Sequence, residues 1–171
     1  MINSTTHNQN LVIEKIEDPL TIIQVLHAAY KRYECDPIPS SALLETEHTI
    51  IENLQHGITI FSAKLRGEVV GIVKYQDTNE GAYFSRLAVL PSFQGQGIAS
   101  KLIHFLTKHA HSKKHQTIYC KVRKSEPDNV RLYKKSGFFI TKEEHTKNPN
   151  EVGMDVYTMH KIISPNHATQ T

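Results

Sequence analysis

Leu87-Ala88-Val89-Leu90-Pro91-Ser92-Phe93-Gln94-Gly95-Gln96-Gly97-Ile98-Ala99-Ser100 is the stretch on which the reading of this chain turns. A β-rich run ends at Pro91, which has no amide to give a ladder. Two glycines, one residue apart, then precede an apolar helical pattern. Glycine lets the main chain take positive φ and approach a ligand closely. The unpaired N–H groups of a first helical turn, together with the helix dipole, make an anion site. On these grounds alone Gln94–Ala99 reads as a pyrophosphate cradle, as a dinucleotide-binding turn or as a tight bend.

The dinucleotide reading fails on its next requirement. That fold expects an acidic residue about 20 residues on, at the end of the following strand. The strand here is Ile118-Tyr119-Cys120-Lys121-Val122, which has no carboxylate. Nor does a meander of three strands ahead of the loop suit a doubly wound sheet.

Upstream, Leu11–Ile16 is a short β-rich run, and Asp18-Pro19 opens a helix with Leu20, Ile23, Leu26, His27 and Tyr30 at helical spacing. Asp36, Pro37 and Pro39 break it. A second helix is expected from Ser40 or Ser41, burying Leu43, Leu44, Ile50, Ile51 and Leu54. Ile58–Leu65 and Glu68–Tyr75 form a hairpin about Arg66-Gly67. In the strand Ala82–Val89, alternation puts Tyr83, Ser85, Leu87 and Val89 on one face and Phe84, Arg86 and Ala88 on the other. Downstream, a helix over Gly97–His111 carries the stripe Ile98, Leu102, Phe105, Leu106 and His109. Thr117–Val122 is a strand, and Pro127-Asp128-Asn129 starts a short helix that Ser136-Gly137 ends. Phe138–Glu143 and Met154–Lys161 close the chain. The order β-α-α-β-β-β-α-β-α-β-β describes one α/β (α+β) domain over residues 11–163, with polar termini over 1–10 and 164–171 expected to be flexible.

A second cluster, Asn129-Val130-Arg131-Leu132-Tyr133-Lys134-Lys135-Ser136-Gly137-Phe138, follows the loop. Asn129 and Tyr133 are four apart and share one helix face. By itself Tyr133 reads as a core aromatic and Asn129 as a helix cap. Together with the loop they resemble the signature of the GNAT family of N-acetyltransferases: a Leu-Ala-Val-like strand end and proline, Gln/Arg-x-x-Gly-x-Gly/Ala opening a helix, then Asn-x-x-x-Tyr-x-x-x-Gly-Phe. The resemblance covers nearly the whole domain, and its element order implies the GNAT fold, a mixed but mostly antiparallel sheet flanked by helices.

The resemblance implies roles. Leu87, Ala88 and Val89 main-chain groups would meet the pantetheine arm of acetyl-CoA. The Val89 N–H would polarise the thioester carbonyl and stabilise the tetrahedral oxyanion. The amides of Gly95, Gln96, Gly97, Ile98 and Ala99, with the Gln94 side chain, would hold the pyrophosphate, with Ser100 and Lys101 nearby. Asn129 would contact the pantetheine, and Tyr133 would protonate the departing thiolate as general acid. Relatives that carry a glutamate on the strand before the loop use it as base. This strand has Tyr83, Ser85 and Arg86 and no carboxylate after Glu80. A base must then come from elsewhere: Tyr30, Tyr33, Glu34, Asp36, Glu45 and Glu47 lie where the family builds its acceptor pocket. Tyr30, Tyr33, Glu34 and Tyr83 are the candidates to contact the acceptor. An acidic lining would suit a cationic amine; the same carboxylates also read as solvated loop charges.

The expected reaction is direct acetyl transfer from acetyl-CoA to a primary amine of a small molecule or peptide. The alternatives are a non-catalytic acyl-CoA-binding module, or transfer to a hydroxyl or a protein N-terminus. Cys120 has no activating base beside it in sequence and reads as a structural thiol. The chain has 171 residues and a net charge of +3, with carboxylates interspersed among its Lys and Arg, which does not suggest nucleic acid. Its 11 histidines form no H-E-x-x-H motif, so no metal site is expected. No signal-like or membrane-spanning stretch is evident, and the cysteines, Cys35 and Cys120, suggest a reducing, cytoplasmic setting. A homodimer would be in keeping with the family.

Overall fold

β1 (Leu11–Lys15) leads into α1 (Pro19–Tyr30), opened by Pro19 at a position where a missing amide costs nothing. The computed structural model describes residues 10–147 and 153–163. Readings of the two termini therefore fall outside the described residues, Asn10 excepted, as does the middle of the final hairpin. α1 buries Ile22, Val25, Leu26 and Ala29, while Leu20 is half exposed. This departs from the expected Leu20–Ile23–Leu26–Tyr30 face. The segment carries two overlapping apolar stripes, and the sheet takes the one holding small Ala29.

The second helix does not start at Ser40 or Ser41. Ser40 caps a 3-10 turn over Ser41–Leu44, its hydroxyl accepting the Ala42 amide at 3.2 Å. Thr46 then caps α2 (Glu47–Gln55) through a capping box with Thr49. Two capping signals so close together divide the segment, leaving Leu44 81% exposed while Ile50 is buried.

β2 (Thr59–Leu65) and β3 (Glu68–Thr78) form the expected hairpin. Arg66 and Gly67 both take positive φ, 51° and 78°, as its two-residue turn requires. β4 (Gly81–Val89), α3 (Ile98–Ser112), β5 (Thr117–Arg123), α4 (Pro127–Lys135), β6 (Phe139–Lys147) and β7 (Gly153–Ile162) follow. Among the described residues the sheet has seven strands in the order β1-β2-β3-β4-β5-β7-β6. All its pairings are antiparallel except β4 with β5. This is the mixed, mostly antiparallel sheet expected.

Helices cover both faces. On one side, Leu102, Ile103 and Leu106 of α3 and Tyr133 of α4 pack with Phe61, Phe84 and Met159 of the sheet. On the other, Ile22 and Leu26 of α1 and Ile50 of α2 meet Ile60, Ile72 and Ala88. Truncating a fully buried side chain such as Leu102 to alanine would cost about 2–5 kcal/mol.

The alternation expected along β4 fails at Arg86. Ile72 pairs with Ala88 but Lys74 with Ser85, so Arg86 and Leu87 together oppose Val73. Arg86 takes a φ of 52°, and the extra residue makes a bulge. Beyond it the faces exchange. Phe84 and Val89 share the α3 side, whereas Ala88 faces α1 and α2.

Candidate active site

β4 and β5 touch only at their starts. Ala82 pairs with Ile118 and Tyr83 with Tyr119, and from Phe84 onward the two strands part. β5 continues along β7, while β4 runs on beside β3. A parallel pair that opens this way leaves one edge of β4 without a ladder partner.

Val89 presents its amide to that open edge. Gly71 and Val89 are directly opposite, and the neighbouring Leu90 amide donates to Val70 O at 2.8 Å. In an antiparallel ladder this marks Gly71–Val89 as a non-hydrogen-bonded pair, so the polar groups of Val89 turn away from β3. The Val89 carbonyl accepts the Gln94 side-chain amide at 3.1 Å. Gln94 thus ties the glycine loop back onto the strand. The Leu87 carbonyl receives the Tyr30 hydroxyl in a long contact of 3.4 Å.

Gly95 and Gly97 take φ of 77° and 79°, and Gly97 stands directly ahead of α3. A Cβ at either would meet nothing within 4 Å. These glycines are therefore needed for backbone conformation, not for room. The Gln94 amide donates to Pro91 and that of Lys101 to Gly97. Between them, among the described residues, no amide from Gly95 to Ser100 donates to another backbone carbonyl, and no side chain caps the helix. Successive unpaired donors at the start of a 15-residue helix form an anion cradle.

Two cavities meet beside this cradle. One, of about 580 Å³, is lined by Val89, the glycine loop, the start of α3 and Arg32. The other, of about 310 Å³, lies beneath Tyr30 and Tyr33 and is lined by Tyr83, Ser85 and Arg86 of β4 and by Cys120, Lys121 and Arg123 of β5. Leu87, Asn129 and Tyr133 line both. Burial pushes Tyr133 well above its ordinary value, and nearby Cys120 and tyrosines add to the rise, so it keeps its proton. Its ring packs edge-on against Phe84, centroids 5.7 Å apart. Asn129 sits within α4, which Glu126 caps, so Asn129 is not the helix cap. Cys120 is buried, and burial pushes its thiol far up.

Other candidates are placed differently. Ala88 points to the opposite layer and pairs with Ile72. Gln96 and Lys101 are exposed and line neither cavity, while Ser100 and Ala99 line the larger one. Glu34, Asp36 and Glu47 are exposed and also line neither. Glu45 is buried as the shared partner of Lys74 and of Arg86, the latter at 2.7 Å. Burial lowers the Lys74 pKa, and the hydrogen bond and charge of Glu45 oppose this. An acidic lining from this loop is therefore not what forms.

Glu126, which sequence reasoning passed over, is the carboxylate lining the smaller cavity among the described residues. The Tyr33 hydroxyl donates to its Oε2 at 2.8 Å. Burial and that hydrogen bond raise Tyr33 to about 12. A charged residue just before a proline-opened helix was the available signal, but nothing in the sequence indicated its contact with Tyr33. Among the described residues no His, Cys, Asp and Glu cluster could hold a metal, and no helix is long and apolar enough to cross a membrane.

The model of the acetyltransferase (GNAT) family matches residues 23–138. The chain belongs to that family. Among solved structures, the ribosomal-protein-S18-alanine N-acetyltransferase of Escherichia coli superposes with a TM-score of 0.76 at 19% identity, over 95% of this chain and 99% of that one. A spermidine N-acetyltransferase SpeG chimera from Vibrio cholerae and hSSAT gives 0.70 at 20%, over 90% and 95%. At such identities these neighbours share the fold alone. The spore coat polysaccharide biosynthesis protein SpsD of Bacillus subtilis is 30% identical over 76 residues, 44% of this chain. The chain spans about a quarter of that relative, 26% of its length.

Proposed function

We propose that this chain is an N-acetyltransferase that moves an acetyl group from acetyl-CoA directly to a primary amine. The observation that carries this reading is the junction of the two cavities at Leu87, Asn129 and Tyr133. One cavity reaches the anion cradle, the other is walled by tyrosines and Glu126, and a group held in each would meet there.

The residues present fit a coenzyme A. The amides of Gly95–Ser100 suit a pyrophosphate, and the unladdered edge of β4 at Leu87 and Val89 suits an amide-bearing arm. Acetyl-CoA supplies the acetyl group activated as a thioester. The Val89 amide, aimed into the gap, donates to the carbonyl oxygen and favours the charge that develops there. Glu126, held by Tyr33, receives the acceptor ammonium and takes its proton. Asn129 orients the donor arm, and Tyr133 returns a proton at the sulfur. Burial of Tyr133 favours this role, because it is protonated at any working pH. The burial of Cys120, which pushes its thiol far up, supports transfer without an acyl-enzyme. A cytoplasmic setting suits a chain with unpaired cysteines.

The test combines calorimetry with acetyl-CoA and thiol release from acetyl-CoA in the presence of an amine panel. Binding together with amine-dependent thiol release is expected. Binding with no release for any amine would instead identify a non-catalytic acyl-CoA-binding module, and release with alcohols alone would identify an O-acyltransferase.

A further inference from the structure

Four charged side chains line the smaller cavity: Arg86, Lys121, Arg123 and Glu126. They are not equally compensated. Arg86 is paired with Glu45 at 2.7 Å and bonded to Ser41 at 2.9 Å. Glu126 faces the Tyr33 hydroxyl. Arg123 spends its two terminal nitrogens on the main-chain oxygens of Ile38 and Pro39, at 2.5 and 3.1 Å. Those bonds fix its position without cancelling its charge. Lys121 is exposed and, among the described residues, forms no ion pair. Lys121 and Arg123 are two apart on β5 and project from one face, opposite to Cys120 and Val122. Their charges therefore add at one wall of the cavity.

We infer that the acceptor is a small primary amine that also carries an anionic group, a carboxylate or a phosphate. This rests on the acetyltransferase reading and names the substrate class of that same site. The ammonium faces Glu126 and Tyr33, and the anion lies along β5 against Lys121 and Arg123. A polyamine would meet one carboxylate and two uncompensated cations, so its second ammonium would be repelled. An amine bearing an acid satisfies both ends at once. The cavity, at about 310 Å³, is at the lower end of the usual small-molecule range.

The experiment measures thiol release from acetyl-CoA with matched primary amines bearing a carboxylate, a phosphate ester, or a neutral carboxamide, together with spermidine. In the unaltered protein the preferred anionic acceptor should have a kcat/KM at least about fivefold above its neutral match, the upper end for one partly exposed ion pair. The carboxylate and phosphate arms show which anion is used. Lys121→Gln should shrink that ratio and Lys121→Glu should abolish or invert it. Arg123→Gln should also shrink it; because it frees the chain at Ile38 and Pro39 and can loosen the fold, exposed Lys121 carries the test. A preference for spermidine or for the neutral match overturns the inference, as does a ratio unchanged in Lys121→Glu. Turnover confined to cationic amines defeats this inference alone, whereas no turnover with any amine defeats the acetyltransferase reading with it.

Discussion

The hydroxyl of Tyr33 donates to Oε2 of Glu126 at 2.8 Å, across 93 residues of chain. The bond links the turn after α1 to the cap of α4, two walls of one cavity. Its two members should respond differently to substitution. Glu126→Gln keeps an oxygen to accept the Tyr33 proton but removes the charge, and kcat should fall about 10²-fold if Glu126 is the base. Tyr33→Phe keeps the charge and loses one hydrogen bond, so the acceptor KM should rise by about two- to tenfold with kcat less affected. Steady-state kinetics on both variants would expose the idea as wrong if Glu126→Gln turned over at the normal rate.

Tyr133→Phe removes one oxygen from the junction of the cavities and leaves the ring packed on Phe84. Turnover should drop about 10²-fold or more while acetyl-CoA affinity stays close to normal. Calorimetry paired with kinetics makes the check, and an undiminished kcat would remove Tyr133 from the acid role.

Gly97→Ala forces a β-carbon onto a residue held at φ 79°. The space is open, so the penalty is conformational, about 1–2 kcal/mol. Stability should fall by that amount if the loop keeps its shape. If the loop relaxes instead, acetyl-CoA affinity should fall while the melting temperature holds. Melting and calorimetry together distinguish the two, and a variant normal in both would show that the cradle does not depend on this conformation.

Some of this was legible in the sequence and some was not. The hairpin at Arg66-Gly67, the glycine loop before α3, and the Asn129–Tyr133 spacing depend on backbone rules acting over a few residues, and such rules can be read directly. The bulge at Arg86 gave no signal, because an arginine with positive φ is held there by the pairing of β3 and β4 and not by its own preference. Glu126 was passed over because its partner, Tyr33, lies far away in sequence. The acidic reading of Glu34 and Asp36 counted charges along the chain, whereas this segment lines the cavity with Tyr33, Ser40 and Ser41 and leaves both carboxylates exposed outside it.

Cys120→Ala should still transfer acetyl groups at a rate of the same order. The thiol is buried, and burial pushes it far up, so it is a poor nucleophile. A folded variant with no activity would instead indicate an acyl-cysteine, detectable by intact mass after incubation with acetyl-CoA.

Acid stability offers a check away from the cavities. Asp77 accepts from the Tyr75 hydroxyl at 2.8 Å and lies 2.7 Å from His115 Nε2. Burial alone would raise its carboxyl, but the hydrogen bonds from His115 and Tyr75, together with the charges of His115 and Lys113, outweigh this and hold it below its ordinary 3.8. A folded-state value below the unfolded one adds stability above pH 3.8, which is lost as pH falls through the folded value. Asp77→Asn should therefore flatten the decline of the urea midpoint between about pH 5 and pH 3. A decline as steep as that of the unaltered protein would show that the pair contributes nothing there.

The additional residue in β4 acts as a phase shift within a single strand. Before it, alternate positions are set by Tyr83 and Ser85 at the smaller cavity; after it, Leu87 and Val89 come round to the larger one. Deleting one residue there would restore regular pairing and rotate the second set out of place. Length changes in β4 are thus closed to selection for a new acceptor. Variation has to come from side chains on β5 and on the segment between α1 and α2, which can change one at a time without moving the donor half.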